Sequence, residues 1–343
     1  MKKAFIAMSG GVDSSVTALL MQKEGYECIG ATMHLFYKEG STDIADARAV
    51  CDRLGMEHVV LNYSAEFEKE VIRRFIESYE RGDTPNPCLD CNKYLKFGLM
   101  LESAKEHGCD VIATGHYARI EEKDGKYLLK KAADPAKDQS YVLYSLTQNQ
   151  LRSVRFPLGE MSKEEARALA EENGFLNAKR ADSQDICFVP EGDYASVIEQ
   201  KTGKTYPEGD FIDLNGKVLG RHKGIIRYTI GQRKGLGLAL PEPMYVGEKR
   251  VDTCQVVLCR NDELFKTELI AEDFNWISGE TPTSPVKANA KVRYRHTEQP
   301  ATITDLGEGK VKVVFDRPVR AITKGQAVVV YVGDVVLGGG IIA

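Results

Sequence analysis

The sequence has no apolar run near the ~20 residues that a membrane-spanning helix requires, so no membrane association is predicted. It begins Met1-Lys2-Lys3 and passes directly into an apolar segment, which is not the pattern of a signal peptide. Its eight cysteines are scattered unevenly and do not have the spacing of a disulfide framework. These absences predict a cytoplasmic protein with reduced thiols.

Net positive charge is also lacking, because 46 lysines and arginines face 50 aspartates and glutamates. A nucleic-acid partner would therefore need a local basic surface. Two common nucleotide-binding loops are missing as well, namely G-x-x-x-x-G-K-[ST] and a G-x-G-x-x-G that follows a strand. The remaining composition, 43% hydrophobic and 28% charged over 343 residues, is that of a globular protein with two or three domains.

The first part of the chain alternates between short apolar runs and helical patterns. The predicted strands are 4–8, 28–34, 58–63 and 110–113, and the predicted helices are 14–24, 43–54, 65–79 and 92–107. This alternation predicts an α/β fold with a doubly wound parallel sheet. Ligands of such sheets bind at the carboxyl ends of the strands, where Ser9-Gly10-Gly11 and Thr114-Gly115-His116 fall. A hairpin turning at Asp124-Gly125 is predicted next, followed by more helices.

The joint between the first strand and the first helix reads Ser9-Gly10-Gly11-Val12-Asp13-Ser14-Ser15. A glycine pair allows a tight turn into a helix N-terminus, where backbone N–H groups and the helix dipole attract anions. Because no lysine is present in this loop, the serine hydroxyls and backbone amides are predicted to hold the phosphates. An ordinary strand–turn–helix joint is the plainer alternative.

After about residue 200, glycines become frequent and short alternating runs replace helical periodicity, which predicts a small antiparallel barrel or sandwich near the C-terminus. Residues 216–241 contain no acid but carry six lysines and arginines, including Arg233 and Lys234. A second basic cluster spans residues 291–296. A solvated basic face is the usual meaning of such runs, but two of them on appended β domains favour an RNA partner. The predicted domains are 1–199, 200–265 and 266–343.

The loop resembles the PP-loop of the ATP pyrophosphatase superfamily, whose members adenylate a carbonyl oxygen. Several longer strings identify the family more closely, namely "AMSGGVDSS", "TPNPCLDCNKYLKFG", "ATGHYAR", "KDQSYVL", "DSQDICFVPEGDY", "YTIGQRKGLG" and "LGGGII". Together, and in this order, they resemble the tRNA-specific 2-thiouridylase family along essentially the whole chain. The resemblance implies an adenine nucleotide alpha hydrolase-like PP-loop ATPase domain followed by two small mainly-β domains, of which the last is a β-barrel.

The resemblance also implies functional residues and partners. The substrates would be ATP with Mg²⁺ and the anticodon region of tRNA. The target would be uridine 34 of the tRNAs for Lys, Glu and Gln. A cysteine desulfurase or sulfur relay protein would supply the sulfur as a persulfide. ATP would be bound by Ala7, Met8, Ser9, Gly10, Gly11, Val12, Asp13, Ser14, Met33 and Gly115. The target base would face Asn86, Pro87 and Cys88. The tRNA would be contacted by His116, Lys137, Asp138, Gln139, Arg293, Tyr294 and Gln326, and the basic run adds Arg233 and Lys234. Cys91 matches the nucleophile, and Cys187 matches the cysteine that carries the persulfide.

One departure from the family pattern concerns the general base. Some members have an aspartate where this chain has Cys88, so the carboxylate role is vacant or passes to Asp90. The change also creates Cys88-x-x-Cys91, and with Cys187 three thiolates could hold a [4Fe–4S] cluster. Persulfide–disulfide chemistry and a cluster are therefore both open. A metabolic PP-loop ligase and a non-catalytic RNA-binding protein are alternatives of other classes.

Overall fold

The computed structural model describes residues 1–36, 41–178, 180, 186–189 and 192–343. Their first part contains a parallel sheet with the strand order β3-β2-β1-β4-β7. Its strands are β1 (Lys3–Ala7), β2 (Glu27–His34), β3 (Glu57–Asn62), β4 (Val111–Ala113) and β7 (Val154–Arg155). The predicted strands are thus found within one residue of their expected limits. The apolar runs of β1 and β4 are covered on both faces, whereas β3 is an edge strand that stays partly exposed.

Helices pack on both faces of this sheet. The α-helices of the described residues are α1 (Val12–Lys23), α2 (Asp43–Leu54), α3 (Ser64–Phe67), α4 (Arg73–Glu80), α5 (Pro87–Asp90), α6 (Met100–Glu106), α7 (Gln148–Ser153), α8 (Lys163–Glu172) and α9 (Tyr194–Thr202), of which α9 packs elsewhere. π-helical turns at Glu68–Ile72 and Cys91–Leu99 join α3 to α4 and α5 to α6. No helix in the described ranges is both long enough and apolar enough to cross a membrane.

The order of the parallel strands reverses between β1 and β4. All four neighbouring pairs are parallel, and β1 lies between β2 and β4. A crevice therefore opens at the carboxyl ends of β1 and β4, which is where such sheets bind ligands. The glycine turn after β1 and the Thr114–His116 segment after β4 face this crevice.

A second sheet follows, with the order β10-β11-β8-β9. Its strands are β8 (Gly209–Ile212), β9 (Val218–His222), β10 (Tyr245–Arg250) and β11 (Gln255–Cys259). A turn at Asn215-Gly216 joins β8 to β9, and Gly216 has a φ of +84°. Helix α9 and the core of this sheet share one hydrophobic cluster.

The C-terminal strands close into a six-stranded antiparallel barrel, so the predicted β-barrel is confirmed. Strand β12 pairs with both β15 and β17, which closes the order β12-β15-β14-β13-β16-β17. The strands are β12 (Phe265–Trp276), β13 (Val286–Lys291), β14 (Gln299–Gly307), β15 (Lys310–Arg320), β16 (Ala327–Val332) and β17 (Val335–Ile342). The hairpin of β5 (Ala118–Lys123) and β6 (Lys126–Lys131) extends the barrel sheet beside β17.

Candidate active site

The turn between β1 and α1 is held by close backbone packing. Gly10 has a φ of +74°, and a β-carbon there would lie 2.6 Å from the carbonyl oxygen of Asp43. Both facts require glycine. The hydroxyls of Ser14 and Ser15 donate to the Gly11 carbonyl oxygen at 2.9 and 3.0 Å. The serines thus brace the turn, and the first N–H groups of α1, which have no intrahelical acceptor, are the donors suited to phosphate.

The Asp13 carboxylate is engaged within the protein. It accepts hydrogen bonds from Lys163 Nζ at 2.7 and 2.8 Å and from the Tyr117 hydroxyl at 2.8 Å. Lys163 is the first residue of α8, and its side chain is 4% exposed. Asp13 therefore ties α1 to α8 and to the segment after β4. Sequence analysis placed Asp13 among the nucleotide contacts, and its position indicates a scaffolding role in the same loop.

Two residues that the sequence did not single out support the turn from the far side. Asn177 donates through Nδ2 to the carbonyl oxygen of Gly10 at 2.8 Å. Arg180 lies 3.4 Å from the same oxygen and forms ion pairs with Asp43 at 2.6 Å and with Asp46 at 2.9 Å. Arg180 therefore adds a guanidinium beside a loop that has no lysine of its own. Nothing local in the sequence marks these residues, because more than 160 residues separate them from Gly10.

Gly115 lies directly against the same turn. A β-carbon at this position would lie 2.9 Å from the carbonyl carbon of Asp13 and 3.1 Å from the backbone nitrogen of Ser14. Met33 is partly buried near the end of β2, the strand beside β1. The structure thus brings the predicted ATP residues of β1, α1, β2 and the segment after β4 to one edge of the sheet.

The segment with Cys88 and Cys91 forms the start of a helix. Asn86 is the N-cap, since its Oδ1 accepts from the Cys88 N–H at 3.1 Å, and Pro87 occupies the first helical turn. Sequence analysis began this helix at residue 92, five residues too late. The Asn-Pro pair was the signal for the earlier start, because proline at the first helical position needs no N–H acceptor.

Cys187 belongs to the same site. Its neighbours Ile186 and Phe188 pack on the cluster that also receives Cys91, and the Phe188 ring lies 5.3 Å from the Phe75 ring. Burial raises the pKa of Cys187 to about 11, and the nearby thiols of Cys91 and Cys88 act in the same direction. Cys88 and Cys187 reach solvent, but the dense protein around their sulfurs still opposes ionisation. The three thiols lie close enough to influence one another.

Lys96 is the cation of this cluster. Burial raises the pKa of Cys91 and Cys88, and the charge of Lys96 opposes it at both and at Cys187. The π-helical winding explains its location. Hydrogen bonds of a π-helix join residues five apart, so Lys96 lies about one turn beyond Cys91. In an α-helix of 3.6 residues per turn, the same separation would rotate it about 140° away. Sequence periodicity does not show this turn.

Asp90 lies between the two cysteines of this helix and is partly buried. Burial raises its pKa from 3.8 to about 6, against the opposing charges of Arg74 and Lys93. A carboxyl group with a pKa near 6 can exchange protons close to neutral pH. Asp90 therefore has the chemistry required of a general acid or base beside the thiols.

Two predicted tRNA contacts, Tyr294 and Asp138, meet near Cys88, and a third, His116, lies in the segment after β4. The Tyr294 hydroxyl donates to the carbonyl oxygen of Asp138 at 3.3 Å, and the Tyr294 side chain is near enough to the Cys88 thiol to be affected by its charge. His116 is buried, and its Nδ1 lies 2.6 Å from Thr114 Oγ1. Burial lowers the pKa of His116 well below its ordinary value, so the ring is neutral at pH 7.

Other predicted tRNA residues make internal contacts. Gln139 accepts from the Tyr117 N–H at 3.0 Å, and Lys137 is partly buried beside it. Gln326 donates to the Thr84 carbonyl oxygen at 2.6 Å. Arg293 donates to acceptors of the central and C-terminal parts, namely the carbonyl oxygens of Ile230 and Ala321 and the hydroxyl of Thr323.

Two of the six basic side chains in residues 216–241 form ion pairs with acids from other parts of the chain. Arg221 pairs with Asp210 at 3.0 Å, and Arg227 pairs with Glu199 at 2.8 Å. The absence of acids from this window therefore did not mean that acids are absent around it. The side chains of Lys217, Lys223, Arg233 and Lys234 are exposed.

Metal binding by the three cysteines has no geometric support. Within the described ranges, no group of three or more His, Cys, Asp or Glu side chains is arranged to hold a metal ion. Cys88, Cys91 and Cys187 all lie within those ranges. The residues present therefore do not fit a [4Fe–4S] cluster in this arrangement.

Three sequence families match the chain. Residues 2–191 match the family described as tRNA methyl transferase HUP domain, and residues 195–260 match the tRNA methyl transferase PRC-barrel domain. Residues 266–342 match the aminomethyltransferase β-barrel domain.

Full-length relatives are also found. The tRNA-specific 2-thiouridylase MnmA of Clostridioides difficile (strain 630) is 47% identical over 99% of this chain and 98% of its own. The protein of the same name from Carboxydothermus hydrogenoformans is 48% identical over 99% and 97%. Among solved structures, a 4-thiouridine synthetase–RNA complex with bound ATP has a TM-score of 0.39 and 17% identity, over 59% of this chain and 50% of that chain. This last likeness is too remote to carry an argument.

Proposed function

The chain belongs to the tRNA-specific 2-thiouridylase family, and we propose that it is an ATP-dependent tRNA-uridine 2-sulfurtransferase. We further propose uridine 34, the wobble base of the tRNAs for Lys, Glu and Gln, as the target. Two observations carry the proposal: a turn suited to phosphate at the edge of the sheet, and a cluster of three thiols with one lysine and one perturbed carboxyl group. Met33, a predicted ATP contact, and Cys91 pack against the same hydrophobic cluster. The cytoplasmic location stays a prediction.

The first step activates the base. The C2 carbonyl oxygen of uridine attacks the α-phosphorus of ATP, the bond to the β-phosphate oxygen breaks, and pyrophosphate leaves. The N-terminus of α1 stabilises the pyrophosphate through its free N–H groups and its dipole. Arg180, which in this structure is paired with Asp43 and Asp46, is placed to contribute positive charge there. Bound Mg²⁺ would neutralise phosphate charge during this step.

The second step transfers sulfur. The terminal sulfur of a persulfide on Cys187 attacks C2, and AMP leaves with the former carbonyl oxygen. The Cys91 thiolate then attacks Cys187 Sγ, so that a Cys91–Cys187 disulfide forms and the electron pair of the broken S–S bond completes the thiocarbonyl. Alternatively, Cys91 first releases sulfide, which attacks C2. A dithiol reductant must reduce the disulfide before the next turnover.

The side chains around the thiols fit this scheme. Both cysteines are protonated at rest because burial raises the pKa of each. Lys96 lowers the cost of forming a thiolate, and Asp90 can accept the proton of Cys91. The closing disulfide requires the two α-carbons within ~7 Å.

The test uses Mg²⁺-ATP, unmodified tRNA with a uridine at position 34, a cysteine desulfurase with cysteine as the persulfide source, and purified protein in excess over tRNA, so that one turnover without a reductant suffices. Nucleoside mass spectrometry should detect 2-thiouridine, and AMP should be released in equal amount. Cys91→Ser and Cys187→Ser should each abolish the product. Cys254→Ser, a partly buried cysteine in a turn before β11, is the matched control and should retain activity.

Other outcomes would support the alternatives. AMP release without tRNA would indicate a metabolic ligase, and tRNA binding without AMP release would indicate a non-catalytic RNA-binding protein. Cys88→Ser separates the two sulfur chemistries. It should keep substantial activity under persulfide–disulfide chemistry, whereas a cluster held by three cysteines would lose activity together with its iron.

A further inference from the structure

The strap, defined as residues 82–86, leads directly into the helix that carries Cys88, Asp90 and Cys91. It begins at Gly82, where the chain takes a φ of +86° after α4, and ends at the N-cap Asn86. The position of the first helical turn, and hence of both thiols, therefore depends on how these residues are held.

The central sheet holds the strap from one side. Lys249 of β10 donates through Nζ to the Asp83 carbonyl oxygen at 3.1 Å, and its ammonium lies 5.7 Å from the centre of the Tyr79 ring. A β-carbon on Gly82 would lie 2.9 Å from the Val251 side chain. A partly buried lysine aimed at a main-chain carbonyl is costly unless that hydrogen bond is made.

The C-terminal barrel holds the strap from the other side. The Thr84 N–H donates to the Lys324 carbonyl oxygen at 2.9 Å, and Gln326 Nε2 donates to the Thr84 carbonyl oxygen at 2.6 Å. Gly325 has a φ of +84°, and a β-carbon there would lie 2.9 Å from Asp83 Cβ. Both backbone polar groups of Thr84 are thus bonded to the barrel, two residues before the N-cap.

We propose that the strap is a mechanical link through which both β domains position the nucleophile, with Gln326 and Lys249 as positioning residues that act through Thr84 and Asp83. This inference rests on the proposed function and assigns Gln326 a role other than direct tRNA contact. Docking of tRNA on the barrels and placement of Cys91 are then coupled through five residues of backbone.

The test begins with free enzyme, without ATP or tRNA, so that it does not depend on thiolation. Alkylation of Cys91 by iodoacetamide is followed by peptide mass spectrometry, with fragmentation to separate it from Cys88. Gln326→Glu replaces the amide donor by an acceptor of the same shape facing the Thr84 carbonyl, and Lys249→Met removes the other donor. Each should speed alkylation at least threefold, because the first helical turn loosens. Gln299→Glu, the same change on the same barrel away from the strap, should have no effect.

Steady-state thiolation and tRNA binding complete the test. For Gln326→Glu we expect kcat to fall about tenfold, with KM and the dissociation constant for tRNA within twofold of wild type. Alkylation within twofold of wild type in both variants overturns the proposal. A tenfold loss of tRNA affinity in Gln326→Glu also overturns it, since Gln326 would then be a tRNA contact. Failure of the wild-type enzyme to form 2-thiouridine would contradict the proposed function but leave the alkylation result to decide on the strap.

Discussion

Replacing Asp90 by asparagine should stabilise the protein and impair its chemistry. The native fold raises the pKa of Asp90 from 3.8 to about 6, mainly through burial, with Arg74 and Lys93 opposing. Native protein therefore binds a proton at Asp90 between about pH 4 and pH 6, where the unfolded chain does not. Stability conferred by this proton is fully present below pH 4 and is lost as the pH rises through 6.

The size of the effect follows from the shift in pKa. About two pKa units at about 1.4 kcal/mol each correspond to about 3 kcal/mol. Because the side chain is only partly buried, solvent screening reduces this free energy, and we expect a change of about 1–3 kcal/mol in the free energy of unfolding. Asparagine does not ionise. The free energy of unfolding of the variant should therefore rise by that amount relative to wild type as the pH increases from 4 to 7.

The assay is urea unfolding at several pH values between 4.5 and 8, followed by far-ultraviolet circular dichroism, which reports the helices of the first part of the chain. Glu122→Gln, an exposed carboxylate on the β5–β6 hairpin, is the control and should show no such dependence on pH. A stability difference between Asp90→Asn and wild type that is constant, or that shrinks as the pH rises, would refute the reasoning.

The same variant tests the role of Asp90 in the reaction. If the carboxylate accepts the Cys91 proton, thiolation by the wild type should fall as the pH drops through about 6, and Asp90→Asn should lose activity although it is more stable. Equal activity of the two proteins at pH 7.5 would remove Asp90 from the mechanism.

Three further predictions follow from the contacts of the site. Lys96→Met should raise the pKa of Cys91 and Cys187 and slow their alkylation several-fold at pH 8. Lys93→Met, which removes a charge that acts on Asp90, should not slow it. Equal alkylation rates in both variants would show that Lys96 does not favour the thiolates. Lys163→Met should lower the free energy of unfolding by about 3 kcal/mol, because it leaves Asp13 without its ionic partner. Adding Asp13→Asn to the same chain should restore part of this loss. No recovery of stability in urea unfolding would contradict the prediction. The double variant Arg233→Glu, Lys234→Glu should bind tRNA more weakly. The slope of the logarithm of the tRNA binding constant against log salt should fall in size by about 0.7–0.9 for each lost phosphate contact. Filter binding measures the slope, with Lys287→Glu as the control, and an unchanged slope would mean that these side chains are only solvated.

Much of the fold was predictable because its signals are local. Continuous apolar runs predict buried parallel strands, and the capping box at Ser162 and Glu165 predicts the start of α8, which the structure shows. The hairpin turn at Asp124-Gly125 is found where the dipeptide indicates, with φ values of +51° and +75°. Gly10 of the β1–α1 turn likewise marks a place where a side chain would collide with the backbone of Asp43.

The π-helical turns were not predictable, because a shift from 3.6 to more residues per turn leaves no compositional mark. Yet this winding brings Lys96 toward the side of the helix that carries Cys91, where its charge lowers the pKa of that thiol against the effect of burial. The ion pairs of Arg221 and Arg227 were equally invisible, since Asp210 and Glu199 lie outside the basic run. The net charge of a sequence window therefore does not give the net charge of the surface that the window forms, because acids from other elements lie beside it.

The sequence by itself determined the order of the elements and the glycine turn after β1, because each depends on a few neighbouring side chains. The phosphate site at that turn and the reactive cysteines stay predictions, the cysteines from the family resemblance. Only the tertiary structure decided what surrounds them. It engages Asp13 with Lys163, places Arg180 at the turn from 170 residues away, and clamps the strap between two β domains. These contacts depend on how separate elements pack against one another, and no pattern within one element specifies that packing.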